Sequence, residues 1–345
     1  MQRALTVTAA CLALIVIVAG AYVRLSDAGL GCPDWPGCYG KATPSHALES
    51  IERAVEMQGG EHGAVSFAKA WKEMGHRYLA GLLGLLVAAI AALSWSPGSG
   101  AKAGRGLSVA LLAVLAFQAA LGMWTVTLLL KPAIVTAHLI GGLTTLALLI
   151  WLALSRWQFV RAQEGRSARV AAVIGLAAVA IQILLGGWVS ANYAALACTD
   201  YPLCQGQVMP RMDFADAFHV IRNLGKTAAG DLLSFEALTA IHWMHRTFAL
   251  IATAVLAWVV WRAMAIQALR GIAVWVGILL VIQISLGIWN VLGGLPLSVA
   301  VAHNLGATLL LSALVVLNFF AFHGLAPQRE RASPALNSQP SRSQP

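Results

Sequence analysis

Four histidines offer the chemistry in this sequence. His76, His138, His245 and His303 each fall near the start of a long apolar run. Ionisable side chains at membrane depth are expensive and are functional candidates by default. Imidazole suits iron, and two imidazoles facing each other across a helical bundle make a natural pair of axial ligands for a heme. Zinc would want three or four donors per site, and only two per bundle are on offer at this depth. For any one histidine alone, a polar link between helices or an interfacial position remains an open alternative. The remaining histidines carry no such pattern. His46, His62 and His219 fall in polar loops and His323 at a helix end, and all four read as surface residues.

Other candidates surround these four. Arg77 and Arg246 directly follow His76 and His245. An arginine fork there can take a heme propionate, or can simply snorkel at the interface. Glu73 lies three residues before His76, on the same helix face, where the second half of the chain has His242. It reads either as a group doing chemistry beside one iron or as an acid paired with Lys72 or Arg77. Cys32 and Cys38 bracket "PDWPG", and Cys198 and Cys204 bracket "TDYPL". Each pair can close a small ring as a structural disulfide, or act as a redox-active dithiol. The spacing is not that of thioredoxin-like sites. Cys11, inside the first apolar run, reads as an inert buried thiol.

The elements that hold these groups are membrane helices. The 345 residues are 59% hydrophobic and 11% charged, with mean hydropathy +0.75. That composition is foreign to soluble proteins. Spans of about 20 apolar residues fall at roughly 4–23, 77–95, 107–129, 133–154, 170–190, 240–261, 271–292 and 297–322. The first is long for a signal-peptide core and is expected to be a retained helix. Basic residues gather in alternate short loops (Lys102, Arg105, Arg156, Arg161, Arg166, Arg169, Arg262, Arg270), whereas the other short loops carry only Lys131. The positive-inside rule then puts both termini in the cytoplasm. It explains the net charge of +9 as a topology signal and gives no reason to expect nucleic acid. Two longer loops, 24–76 and 191–239, hold four of the five cysteines and face an oxidising compartment on this topology. Residues 327–345, rich in Pro and Ser, are expected to be a disordered cytoplasmic tail.

The chain also repeats itself. "VAGAYVRLSDAGLGCPDWPGCYGK" aligns with "LLGGWVSANYAALACTDYPLCQGQ", and "EMGHRYLAGLLGLL" with "HWMHRTFALIATAV". Further on, "QAALGMW" aligns with "QISLGIW" at an offset that stays near 165–169 residues. Cys32 and Cys38 map onto Cys198 and Cys204, His76 onto His245, Gln118 onto Gln283, and His138 onto His303. Each unit has four helices, so both enter the membrane alike. The expected fold is an all-α integral membrane protein of eight transmembrane helices. They form two tandem four-helix bundles, 1–155 and 168–323, related by a pseudo-two-fold axis along the membrane normal.

Taken in order, "GLGCPDWPGCYG", "EMGHR", "TAHLIGG", "HWMHR" and "AHNLGA" resemble the heme A synthase family over nearly the whole chain. The resemblance implies a bacterial inner-membrane enzyme that oxidises the C8 methyl of heme O to the formyl group of heme A. It implies that His76 and His138 flank heme O as substrate, that His245 and His303 ligate a retained heme b, and that Glu73 is catalytic. It also implies heme O synthase and terminal oxidase assembly factors as neighbours; a homo-oligomer is compatible with it. Two other readings of the same histidines stand beside it: a di-heme b-type cytochrome passing electrons between quinone and a periplasmic partner, and a heme transporter or chaperone.

Overall fold

A computed structural model describes residues 2–95, 102–157 and 166–323. Arg161 and the expected tail 327–345 lie outside the described residues. Among the described residues eight helices are long and apolar enough to cross a membrane. We number them α1 (Gln2–Leu25), α2 (Phe67–Ser94), α3 (Lys102–Thr127), α4 (Pro132–Ser155), α5 (Arg166–Ala191), α6 (Phe235–Met264), α7 (Arg270–Leu292) and α8 (Leu297–His323). Within a bilayer no water can satisfy the backbone, so each apolar run closes its own hydrogen bonds as a helix.

α2 and α6 begin earlier than the apolar runs suggest. Ser66 caps α2 by accepting from the N–H of Lys69 at 3.2 Å, and Ser234 caps α6 by accepting from Ala237 at 3.1 Å. The long loops are therefore 26–66 and 192–234 rather than 24–76 and 191–239. The reason is that the first turns of α2 mix Lys72 and Glu73 with Trp71, which hydropathy does not register as a span. His76 sits about two and a half turns inside its helix.

α1 to α4 close a ring in which each helix packs on the next and α4 returns to α1; α5 to α8 do the same. One core joins Ala13, Val87, Leu111 and Leu149 of the first ring. A second core joins Leu256, Val276 and Leu314 of the second ring with Leu143 of α4. The seam is made by α4 on α8, α4 on α5 and α1 on α8. Exchanging every helix for the one four places along maps this set of pairs onto itself. At the loop face of the seam, Arg24 Nη2 donates to the Ser190 carbonyl at 2.6 Å, and the Tyr193 hydroxyl donates to Asp27 at 2.9 Å. At the opposite face Arg156 ties its own ring together by donating to the Gln2 carbonyl and to Thr6 Oγ1, each at 2.9 Å, and to Ser94 Oγ at 3.3 Å.

Two expectations are corrected. Cys11 is exposed, because α1 packs inward through Ala9 and Ala13 and turns Cys11 to the outside. His323 is half-buried rather than fully exposed. Its ring stacks on Phe319 with centroids 4.3 Å apart, meets Trp151 edge-on, and engages the Phe319 carbonyl through Nδ1 at 2.9 Å. His46, His62 and His219 are exposed as expected.

Candidate heme sites

Each of the four histidines is seated in the same way. The ring lies against a glycine of the preceding helix, with its Cε1 where a side chain would otherwise begin. A Cβ on Gly20 would stand 2.9 Å from the ring of His76, on Gly122 3.2 Å from His138, on Gly186 3.0 Å from His245, and on Gly287 3.1 Å from His303. Those approaches are tighter than ordinary carbon contacts, so the absent Cβ makes room for the ring. One turn earlier on the same helix, the carbonyl of Val16, Gln118, Gln182 or Gln283 faces that imidazole. For His76, His138 and His303 the approach falls short of hydrogen-bond geometry, and their Nδ1 atoms are buried without a partner. The four residues nonetheless keep some accessible surface. His76 and His138 lie within electrostatic reach of each other, as do His245 and His303.

Three glutamines serve these seats. Gln118 Nε2 donates to the backbone carbonyl of His138 at 2.5 Å and Gln182 Nε2 to that of His245 at 3.1 Å. Gln182 Nε2 also lies 3.1 Å from His245 Nδ1, and Gln283 Nε2 lies 3.2 Å from His303 Nε2. Sequence reading passed over Gln182 and the four glycines. The signal was present as "QAALG", "QILLG" and "QISLG", a glutamine one turn before a glycine. The exception, "VIVAG" at Val16–Gly20, hid the pattern in the first helix.

Above these seats each long loop is pinned by the helix that bears the histidine. Cys32–Cys38 and Cys198–Cys204 are disulfides. Glu73 is 4% exposed. Its Oε2 accepts from the N–H of Cys32 at 2.9 Å and its Oε1 from Arg77 Nη2 at 2.5 Å. In the second half His242, also 4% exposed, accepts through Nδ1 from the N–H of Cys198 at 3.2 Å. Glu73 and His242 thus share one task, holding the first cysteine of each ring. Gly31 permits it: a Cβ there would stand 2.7 Å from the backbone nitrogen of Ala70.

Arg77 and Arg246 also reach the loops. Arg77 Nη1 donates to the carbonyls of Asp34 (2.8 Å) and Gly37 (2.5 Å). Arg246 Nη2 donates to those of Pro202 (3.0 Å) and Leu203 (2.9 Å), while its Nη1 is buried with no partner. Inside each ring an aspartate accepts from two backbone N–H groups, Asp34 from Tyr39 and Gly40, and Asp200 from Gln205 and Gly206. Those bonds, led by the one from Gly206, hold the Asp200 carboxyl below the ordinary carboxylate range. Peptide mapping without reductant should recover both bridges, and each seven-residue ring should add about 2 kcal/mol of stability. Free thiols at all four positions would contradict the assignment.

The donor set fits a bis-imidazole iron in each ring of helices. It does not suit zinc, since no three His, Cys, Asp or Glu side chains converge as metal donors among the described residues. Two hollows lie elsewhere. A cavity of about 300 Å³ at the loop face is lined by Arg24, Asp27, Lys69 and Tyr193 among others. An apolar groove of about 490 Å³ runs between α6 and α7.

Comparison with known proteins places these features in a lineage. A family model described as cytochrome oxidase assembly protein matches residues 3–315. A heme A synthase of Shewanella oneidensis is 42% identical over 316 residues, which is 90% of this chain and 93% of that protein. Heme A synthases of Maricaulis maris (30% identical; 89% of this chain and 92% of theirs) and Rhizorhabdus wittichii (29%; 92% and 91%) also align along most of the length.

Proposed function

This chain belongs to the family of cytochrome oxidase assembly proteins that contains the heme A synthases, and from that premise we propose that it oxidises the C8 methyl of heme O to a formyl group, giving heme A for terminal oxidases. The observation that carries the reading is the pairing of glycine-seated imidazoles, with a carboxylate beside one pair and none at the matching position of the other. In this reading His76 and His138 flank heme O in the unit 1–155, and His245 and His303 hold heme b in the unit 168–323. The two units are related by a pseudo-two-fold axis along the membrane normal, which the self-mapping of the seam supports. When bound, the iron supplies the oxidising power that no side chain here has.

The protein's own part is to place the methyl edge, keep water out and handle protons. The pinned disulfide loops cover both sites on the outer side of a bacterial inner membrane, with both termini cytoplasmic. Arg246 Nη1, buried and unpartnered, is the nitrogen left to take a propionate of heme b. Arg77 spends its Nη1 on loop carbonyls and an Nη2 hydrogen on Glu73. In this reading Glu73, one turn from His76, stabilises positive charge or accepts a proton at the substrate edge. Heme O synthase and terminal oxidase assembly factors are the expected neighbours in the membrane. The relatives named above are all heme A synthases, which leaves the di-heme electron-transfer cytochrome without support.

The test is expression in a host that makes heme O and lacks this activity. Heme A should appear in the extracted pigments. Heme O alone, with the protein present and carrying heme, would overturn the proposal.

A further inference from the structure

The second unit keeps a cationic nitrogen in reserve, Arg246 Nη1, buried with no partner. In the first unit the matching Arg77 has both terminal nitrogens engaged, Nη1 with the loop and Nη2 with Glu73. Spare cationic donors appear instead in the cavity of about 300 Å³ at the loop face. Arg24 lines it, with a side chain 14% exposed. Its Nη2 donates to the Ser190 carbonyl, and its Nε is buried without a partner. Its Nη1 meets Asp27 only at 3.7 Å, which is beyond hydrogen-bond range. Lys69 lines the cavity from α2. Its Nζ donates to the Gly63 carbonyl at 2.8 Å, and an ammonium has further hydrogens to give. Among the described residues no carboxylate lies within ion-pair distance of it. Asp27, the acid on the cavity wall, already accepts from the Tyr193 hydroxyl.

The cavity lies above the seat of His76. Arg24 follows Gly20, the glycine under the His76 ring, by one turn of α1. Lys69 precedes His76 by two turns of α2, on the face that also carries Glu73. Counted along the helices, the two cations stand roughly 6 and 10 Å outward of the seat, a depth that the propionate arm of a heme on His76 reaches. The repeat partners of Arg24 and Lys69 are Ser190 and Leu238, so the second unit has no charge at either place. Resting on the assignment of heme O to the first unit, we propose that Arg24 and Lys69 hold a propionate of that substrate in this cavity, the one that neighbours the C8 methyl on its pyrrole ring. Two charge-assisted hydrogen bonds offset the water that the carboxylate gives up. Because the two substituents share a ring, fixing the carboxylate fixes the edge to be oxidised.

The experiment titrates purified full-length protein, from cells that make no heme O, with heme O and with heme O whose two propionates are methyl esters. Optical difference spectra read the binding. The unaltered protein should bind the acid about 100-fold more tightly than the ester, since each hydrogen bond to a charged group is worth about tenfold or more. Arg24→Gln and Lys69→Gln remove one charge each. Either should weaken heme O about tenfold, leave the ester unchanged and keep the full content of heme b. Equal binding of acid and ester by the unaltered protein would overturn the proposal. So would a Lys69→Gln protein that holds heme O as tightly as the unaltered one. That variant alone decides if Arg24→Gln, which also loses the bond to Ser190 across the seam, does not fold. The assignment of heme O to the first unit fails by a separate result: heme O binding that His138→Ala leaves unchanged.

Discussion

Replacing His245 or His303 with alanine will strip the purified protein of most of its heme b spectrum, while His76→Ala and His138→Ala will leave that spectrum standing. The expectation follows from how the second unit is built. Both of its imidazoles rest on a glycine, Gly186 or Gly287, and each is reached by a glutamine amide. In the proposed heme b site, removing one imidazole would leave the iron one protein ligand of two and open a void beside the glycine. The loss should be close to complete, because a cofactor retained through purification depends on both axial bonds. Optical difference spectra and pyridine extraction on the four single variants measure it. If His76→Ala removes heme b and His245→Ala does not, the halves have been assigned the wrong way round.

The second large effect is expected at Glu73. Its carboxylate holds both the N–H of Cys32 and the guanidinium of Arg77, so Glu73→Ala leaves a largely buried arginine short of its charged partner. Breaking such a pair typically costs about 3–5 kcal/mol. Alanine therefore confounds a loosened loop with lost chemistry. The second half supplies a cleaner substitution, since His242 already performs the loop-holding task without a carboxylate. In Glu73→His the N–H of Cys32 keeps an acceptor; in Glu73→Gln the shape is kept and the charge lost. If the carboxylate serves the reaction, both variants should retain heme b and the Cys32–Cys38 bridge, yet make heme A about 100-fold more slowly or worse, the scale of a lost acid–base group. Accumulated heme O or a hydroxylated intermediate should accompany the loss. Near-normal heme A formation in Glu73→His would reduce the residue to a loop anchor.

The eight spans and the four histidines were legible because their signals are local or periodic: apolar runs of bilayer length, and His-Arg and Ala-His pairs recurring at one offset. The cysteine rings were legible for the same reason. What escaped lies where two distant stretches meet. Arg77 read as a propionate partner or a snorkelling residue; its bonds to the carbonyls of Asp34 and Gly37, some forty residues away and brought back by the fold of the loop, were not legible. Glu73 and His242 differ so much as residue types that their shared task was hidden; only the recurrence of a cysteine N–H above each reveals it. Helix starts at Phe67 and Phe235 escaped because hydropathy follows the bilayer, whereas a serine cap and a mixed first turn extend the helix beyond it. The glycine seats were readable in principle, but a missing side chain becomes informative only once the ring that fills its space is known.

In the proposed function one unit of this protein keeps a heme while the other processes one. The most direct measurement is to purify the full chain from cells that make heme O, extract its hemes, and identify each by chromatography and mass. Heme b should be found together with heme O, its hydroxylated form or heme A. His138→Ala should remove that second set and leave heme b. Heme b alone in the unaltered protein, accompanied by rapid quinol oxidation, would contradict the account.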